Sequence, residues 1–166
     1  GGFDETLVRN QDDEHNLRIV RGGGRIWQSS RIRSVYRPRA ALSQVFRQYL
    51  QYGYWKPFVM KKHGQAASLR HLVPAVFVAL LAGLALAALF GAPRWPLVTL
   101  LAIYAVAVVA MTAGVAADGR LSVAALVRVP AVIVAYHVGY GIGSLFGWWD
   151  ALRHGKGRAR FAALTR

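Results

Sequence analysis

The chain has 166 residues, with 21 lysines and arginines against seven acidic residues, and a formal net charge of +14. It contains no cysteine, which excludes disulfide bonds and thiolate chemistry. Residues 1–71 and 153–166 are polar and basic, whereas residues 72–152 are mostly alanine, leucine, valine and glycine. This split predicts a water-facing part joined to a membrane-embedded part.

Five of the seven acidic residues lie within the first fourteen positions. Three of them predict the first turn of a helix over residues 12–21, where negative charge complements the helix dipole, and Asn10 is the expected N-cap. We expect Leu17 and Val20 on the buried side of this helix. The first of three glycines, Gly22, is expected to end it in a left-handed conformation.

An alternative interpretation of the glycines at 22–24 is a phosphate-binding loop. We do not favour that interpretation, because such loops precede a helix and these glycines follow one. Residues 25–27 and 32–36 then predict short strands.

Residues 40–54 predict an amphipathic helix, because apolar residues recur at helical spacing. The helix is rich in aromatic residues and precedes the apolar region, with basic residues following it up to residue 71. These features favour a place at the membrane surface. The alternative is an ordinary surface helix packed on a soluble core.

Three apolar segments predict membrane helices, at about 72–92, 96–117 and 130–149. The first has 21 uncharged residues and therefore spans roughly 30 Å as a helix. The third carries Gly139, Gly143 and Gly147 at a spacing of four, which predicts close helix packing. For His137 and Tyr140 we favour a structural hydrogen bond across helices over a contact with lipid or protons.

The basic residues at the start of the chain predict that this end of the chain lies in the cytoplasm. Three full crossings would place the basic tail 153–166 on the opposite side, against the same rule. The number of full crossings therefore stays open between two and three.

Several short motifs, in a fixed order and spacing, resemble the C-terminal portion of a glycosyltransferase family 2 catalytic domain, in particular that of succinoglycan-type exopolysaccharide glycosyltransferases. They are GGFDE at 1–5, NQDDE at 10–14, GGRIW at 23–27, YRPR at 36–39 and QYGYW at 51–55. The last membrane segment is also similar to that group. The opening motif reads as the middle of a domain, so we expect the chain to be a piece of a longer polypeptide.

The resemblance implies a mainly α-helical fragment. Residues 1–39 would be the C-terminal part of a GT-A-type α/β catalytic domain, 40–71 an interface helix with a basic linker, and 72–152 two to three transmembrane helices, before the basic tail at 153–166. It also implies a bacterial inner-membrane protein whose catalytic part is cytoplasmic.

The activity implied by the resemblance is inverting transfer of a hexosyl unit from a nucleotide-sugar donor. The acceptor would be lipid-linked or a polysaccharide, in exopolysaccharide or cell-envelope glycan synthesis. A divalent cation, Mg or Mn, and the donor would be bound mainly by residues that precede this chain, so the chain alone is expected to be inactive.

The resemblance assigns roles to individual residues. Asp12 would be the catalytic base, and Gln11 stands where the family has another acid. Glu14 and Arg18 would shape the acceptor site, while Asp13 is expected to be a solvated residue of the first turn. Further acceptor contacts come from a segment similar to the family's Gln-x-x-Arg-Trp motif, in which a tyrosine replaces the arginine: Gln51, Tyr54 and Trp55.

Two other functions are compatible with parts of this pattern. A non-enzymatic membrane assembly subunit with a basic cytoplasmic face would explain the charge and the apolar segments, but not the ordered motifs. Nucleic-acid binding is not favoured, because the arginines are dispersed and half of the chain is apolar. Membrane lipids are the expected partners of the basic residues.

Overall fold

A computed structural model describes residues 2–36, 39–64, 69–158 and 161 of the chain. This part is mainly α-helical, as predicted, and contains no β-strand. The helices, in chain order, are α1 Gln11–Arg21, α2 Leu42–His63, α3 Val73–Leu89, α4 Trp95–Ala117, α5 Val123–Leu126 and α6 Val129–Arg153, with a 3₁₀ turn at Leu69–His71 before α3.

Helix α1 begins after Asn10, the predicted N-cap, but the asparagine side chain does not cap the helix. Asn10 is left-handed, at φ 60°, and its Nδ2 donates to the carbonyl oxygen of Tyr52 on α2 at 3.0 Å. Gln11 instead donates its side-chain amide to the carbonyl of Leu7. The side chains at the start of α1 therefore fix the preceding loop and α2, rather than the helix terminus.

The C-terminal end of α1 differs from the prediction by one residue. Gly22 has φ −76°, and the left-handed residue is Gly23, at φ +77°. The amide of Gly22 still bonds to the carbonyl of Arg18, so the helical hydrogen-bonding pattern runs one residue further before the chain reverses.

The predicted buried side of α1 is wrong. Val20 is 56 % exposed and Leu17 is half-buried, whereas Glu14 is fully buried. The carboxylate of Glu14 forms an ion pair with Lys62, and one of its oxygens lies 3.2 Å from Nε2 of His63 at the end of α2. Charge pairing, rather than apolar burial, therefore sets which face of α1 lies against α2.

The predicted strands at 25–27 and 32–36 are also wrong. Both segments are irregular, and Trp27 and Val35 are 90 % and 97 % exposed. A β-strand needs a neighbouring strand to satisfy its backbone groups, and no extended segment in the described residues pairs with either. Positions 37 and 38 of the YRPR motif lie outside the described residues.

Helix α2 runs nine residues beyond the predicted end, through Pro57, to His63. Its second half is buried rather than amphipathic. Gln51, predicted on the polar side, is only 6 % exposed. The prediction stopped early because Gly53 and Pro57 usually end helices, but here both residues are buried against α6 and its surroundings.

The predicted glycine ridge of α6 packs directly on the backbone of α2. A Cβ added at any of these three glycines would meet a carbonyl oxygen of α2 at 2.0–2.9 Å. The pairs are Gly139 with Phe46, Gly143 with Leu50 and Gly147 with Tyr54. Both series advance four residues at a time in the same direction, so the two helices run parallel and in close contact.

In the part of the chain that the structure describes, two segments are long and apolar enough to cross a membrane, by length and composition: α4, and α6 together with the preceding segment from Val123. Helix α3 is apolar but shorter, with 17 residues where the sequence predicted 72–92. Across α4 and α6, the hydroxyl of Tyr104 lies 3.1 Å from Nδ1 of His137. This is the structural hydrogen bond that we favoured for His137. The same prediction is wrong for Tyr140, whose hydroxyl has no hydrogen-bond partner among the described residues.

After α6, the chain packs against the same buried core as the N-terminal segment. Leu7, Tyr54, Trp55, Val59 and Phe161 form one buried cluster. Within it, the ring of Phe161 stacks on that of Tyr54 with centroids 3.9 Å apart, and the indole of Trp55 donates to the Phe161 carbonyl at 3.1 Å. The N-terminal segment and the basic tail therefore meet on the same side of α2.

Candidate functional site

A cavity of about 480 Å³ lies at the N-terminal end of α1. Its walls come from four parts of the chain: the first loop, the first turn of α1, one face of α2, and α6 with the 3₁₀ turn. The lining residues are Phe3, Val8, Arg9, Asn10, Gln11, Asp12, Asp13, Tyr49, Tyr52, Lys56, His71 and Tyr140.

Asp12, the predicted base, lines this cavity and is exposed to solvent. It sits in the first turn of α1, where the free backbone amides of the helix favour a negative charge. A ligand in the cavity can therefore reach a carboxylate that is anchored on a rigid element.

Asp13 was predicted to be a solvated residue of the first turn, but it also forms an ion pair with a lysine of α2. Its Oδ2 lies 2.7 Å from Nζ of Lys56, whose side chain is only 6 % exposed. An ammonium group with so little access to water needs a charged partner. The pair thus places an ammonium group in the cavity wall beside Asp12, with its charge balanced by Asp13.

Arg9 supplies a second cation to the wall and is positioned by Gln51. The Nε and Nη2 of Arg9 donate to Oε1 of Gln51 at 3.3 and 3.2 Å. The guanidinium also lies 5.6 Å from the ring centroid of Tyr52. Gln51, a predicted acceptor residue, is buried behind this contact and does not line the cavity.

Glu14 and Arg18, two further predicted acceptor residues, are not among the lining residues. The buried carboxylate of Glu14 bonds to Arg18, Lys62 and His63 at 3.0, 2.9 and 3.2 Å. Burial acts to raise the pKa of Glu14, but the bonds from Lys62, Arg18 and His63 outweigh it and lower that pKa. The acid is therefore held ionised as the link between α1 and the end of α2.

Tyr54 and Trp55, the remaining predicted acceptor residues, lie in the core on the other side of α2. The Tyr54 hydroxyl donates to Oδ2 of Asp150 and accepts from the Arg158 amide, both at 2.8 Å. Burial, together with the bond to Asp150, raises the pKa of Tyr54 to about 12. Neither side chain meets Asp12, and their place is at the junction with the C-terminal tail.

The structure adds residues that the sequence did not assign to the site. Tyr49, Tyr52 and Lys56 are spaced by three and four residues, so helical periodicity alone would have placed them on one face of α2. Arg9 lies three positions before Asp12, whereas His71 and Tyr140 come from distant parts of the chain. The sequence singled out Tyr140 only for helix packing, and no local signal marks Arg9 or His71.

The carboxylates at this cavity do not fit a divalent cation site. The cavity offers the adjacent Asp12 and Asp13, and Asp13 is tied to Lys56. Over the described ranges, no group of three or more histidines and acids could hold a metal ion. We therefore derive no chemical step on these residues that passes through a metal.

One known protein is similar to most of the chain. Over 143 residues, or 86 % of its length, the chain is 30 % identical to the succinoglycan biosynthesis protein ExoA of Rhizobium meliloti (strain 1021). The match covers 42 % of that protein, so the chain spans less than half of its relative's length. No family model matches the chain, and no solved structure matches it significantly. The similarity agrees with the succinoglycan-type resemblance of the sequence motifs.

Proposed function

We propose that the chain is part of a membrane-bound glycosyltransferase, to which it contributes the acceptor side of the active site and the membrane region. The observation that carries this proposal is the position of Asp12, exposed in a cavity of about 480 Å³ where α1, α2 and α6 meet. The 30 % identity to a protein of succinoglycan biosynthesis supports it.

In the proposed reaction, a sugar passes from a nucleotide-sugar donor to an acceptor hydroxyl. The carboxylate of Asp12 takes the hydroxyl proton while the acceptor oxygen forms a bond to the anomeric carbon. The bond from that carbon to the nucleoside diphosphate breaks on the opposite face, and the diphosphate leaves with the electron pair. This single displacement inverts the anomeric carbon.

The other cavity residues fit the needs of this step. Tyr49 and Tyr52 offer aromatic faces that pack on a bound ligand, while the guanidinium of Arg9 and the ammonium of Lys56 offer hydrogen-bond donors to its oxygens. Lys56 follows the QYGYW segment directly. Within that segment, Tyr54 stands where the family has an arginine. Lys56 supplies the positive charge that this part of α2 would otherwise lack.

The donor and a divalent cation, Mg or Mn, would be contacted mainly by residues outside this chain. The cation would stabilise the charge on the leaving diphosphate. On this proposal the chain alone neither binds a nucleotide sugar tightly nor transfers its sugar. Micromolar binding of such a donor to the chain, measured by calorimetry, would contradict that division.

We place the protein in the bacterial inner membrane with the cavity facing the cytoplasm. Helix α4 and the most apolar 18-residue part of Val123–Arg153 are largely uncovered, as expected for lipid-facing helices. The 21 basic residues favour contact with anionic lipid on the cytoplasmic leaflet. The acceptor is then lipid-linked or a polysaccharide of the exopolysaccharide or envelope.

The test is the Asp12→Asn substitution in the full-length enzyme, assayed for sugar transfer. We expect turnover to fall by about 100-fold or more, because an amide cannot accept the proton. Glu5→Gln is the matched control, since Glu5 is exposed and does not line the cavity. Near-normal sugar transfer by a folded Asp12→Asn variant would overturn the role of Asp12 as the base. Absence of transfer by the unsubstituted full-length protein would instead favour a non-enzymatic assembly subunit.

A further inference from the structure

A second cavity, of about 280 Å³, adjoins the first. The two share Tyr49, His71 and Tyr140 in their walls. The second cavity adds residues from the start of α3 and the middle of α6: Arg70, Pro74, Tyr136 and His137. We refer to these two neighbouring cavities as the groove: Asp12 lines the first, and the apolar helices α3 and α6 contribute to the wall of the second.

Arg70 gives the groove a positive charge at the boundary of the apolar region. It lies in the 3₁₀ turn directly before α3, and it is exposed. It makes no hydrogen bond or ion pair with another described residue. Arg70 also lines a third cavity, beside Asp13 and Lys56, whose charges are paired with each other. The guanidinium of Arg70 is thus an uncompensated cation that faces the groove.

The remaining walls combine apolar surface with one buried hydroxyl. The rings of Tyr49 and Tyr136 stack with centroids 3.9 Å apart, and Pro74 adds a further apolar surface. The hydroxyl of Tyr140 is buried and finds no hydrogen-bond partner among the residues that the structure describes. Buried polar groups normally have a partner, so this hydroxyl is available to a ligand.

A ligand suited to this groove carries negative charge at one point and an apolar chain next to it. A phosphate oxygen accepts hydrogen bonds from a guanidinium and from a phenol. The aromatic walls and the neighbouring apolar helices suit hydrocarbon rather than free water. A neutral sugar polymer has no group that would match the charge of Arg70.

We propose that Arg70 and Tyr140 form a binding subsite for the phosphate of a membrane-anchored lipid phosphate. Its chain leaves the groove along the apolar helices, while any sugar attached to the phosphate points towards Asp12. The identification of this lipid as the sugar acceptor rests on the proposed function. The subsite then favours a lipid-linked acceptor over a polysaccharide.

The test measures binding of farnesyl monophosphate to the full-length protein in detergent, by calorimetry. Farnesol, which lacks the phosphate, and inorganic phosphate, which lacks the chain, are the comparison ligands. We expect farnesyl monophosphate to bind at least tenfold more tightly than either, and Arg70→Gln to weaken its binding by about tenfold. Arg94→Gln is the matched control, because Arg94 directly precedes α4 as Arg70 precedes α3, and it lines none of the three cavities. Arg94→Gln should leave binding unchanged.

Three outcomes would overturn the subsite. They are equal binding of farnesol and farnesyl monophosphate, equal binding of inorganic phosphate, and equal losses in Arg70→Gln and Arg94→Gln. Thermal unfolding of each variant shows whether a loss reflects the fold, and Tyr140→Phe tests the second member of the subsite without removing charge. The Asp12→Asn variant distinguishes a failure of the subsite from a failure of the proposed function. It should bind farnesyl monophosphate normally but lose sugar transfer.

Discussion

Asp12 and Glu14 are two acids of the same helical turn with opposite surroundings. Residues two apart on an α-helix differ by about 200° in direction, so they cannot face the same side. Asp12 opens into the cavity and Glu14 is fully buried against α2. The sequence predicted both residues in the first turn, but the lysine and histidine that bury Glu14 lie 48 and 49 positions later and give no local sign.

The ion pairs of the N-terminal segment predict a loss of stability in acid. The bonds that Lys62 and Thr6 make to Asp4 lower the pKa of Asp4 from 3.8 to about 2. Because the folded-state pKa is the lower one, this stabilisation is present above pH 3.8 and disappears as the pH falls through about 2. The lowered pKa of Glu14 acts in the same direction.

The measurement is urea unfolding of the purified protein at pH values from 6 down to about 2. We expect Asp4→Asn to cost about 1 kcal/mol at neutral pH and to flatten the decline below pH 4, since the Asp4–Lys62 pair is partly exposed to solvent. Glu5→Gln, which removes a neighbouring exposed acid, should leave the profile unchanged. An unchanged profile in Asp4→Asn would show that this pair contributes nothing to stability.

At the scale of elements, the contact between α2 and α6 depends on the absence of side chains. The sequence predicted the glycine ridge from its spacing of four, but not its partner. That partner is a ridge of backbone carbonyls on α2, whose own residues are large. The partner is hard to predict from the ridge alone, because the positions of α2 that face it are the large residues Phe46, Leu50 and Tyr54. A single glycine of α2, Gly53, makes the reciprocal close approach, to the carbonyl of Tyr140.

Gly143→Ala should therefore destabilise the protein strongly. Its Cβ would lie 2.0 Å from the Leu50 carbonyl oxygen, and two packed backbones would have to separate. We expect a loss of about 3 kcal/mol in the free energy of unfolding, despite the better helix propensity of alanine. Gly114→Ala in α4 is the control, because nothing lies within 4 Å of its added Cβ, and it should unfold like the unsubstituted protein. Equal stability of the two variants would contradict the backbone contact.

At the scale of the whole molecule, the shared core limits how the chain crosses a membrane. Leu7 and Phe161 belong to one cluster, and a bilayer cannot pass between residues in contact. The number of full crossings between the N-terminal segment and the tail is therefore even. The sequence left two or three crossings open, because hydropathy shows which segments are apolar and not where the tail docks.

Single cysteines test this topology, since the chain has no cysteine of its own. In membrane vesicles, we expect Glu5→Cys and Lys156→Cys to react with a membrane-impermeant maleimide from the same side. Arg120→Cys, in the exposed link between the two candidate spans, should react from the other side. Labelling of positions 5 and 156 from opposite sides would contradict the shared core.

The docking of Phe161 also sets the order in which this molecule can be completed during synthesis. The aromatic face of α2 receives Phe161 from 106 positions after Trp55. At ~5–20 residues per second, a ribosome needs about 5–20 s to make that interval, and the apolar helices α3, α4 and α6 emerge within it. The apolar helices of the nascent protein therefore emerge and reach the bilayer before Phe161 can dock on α2 and complete the core.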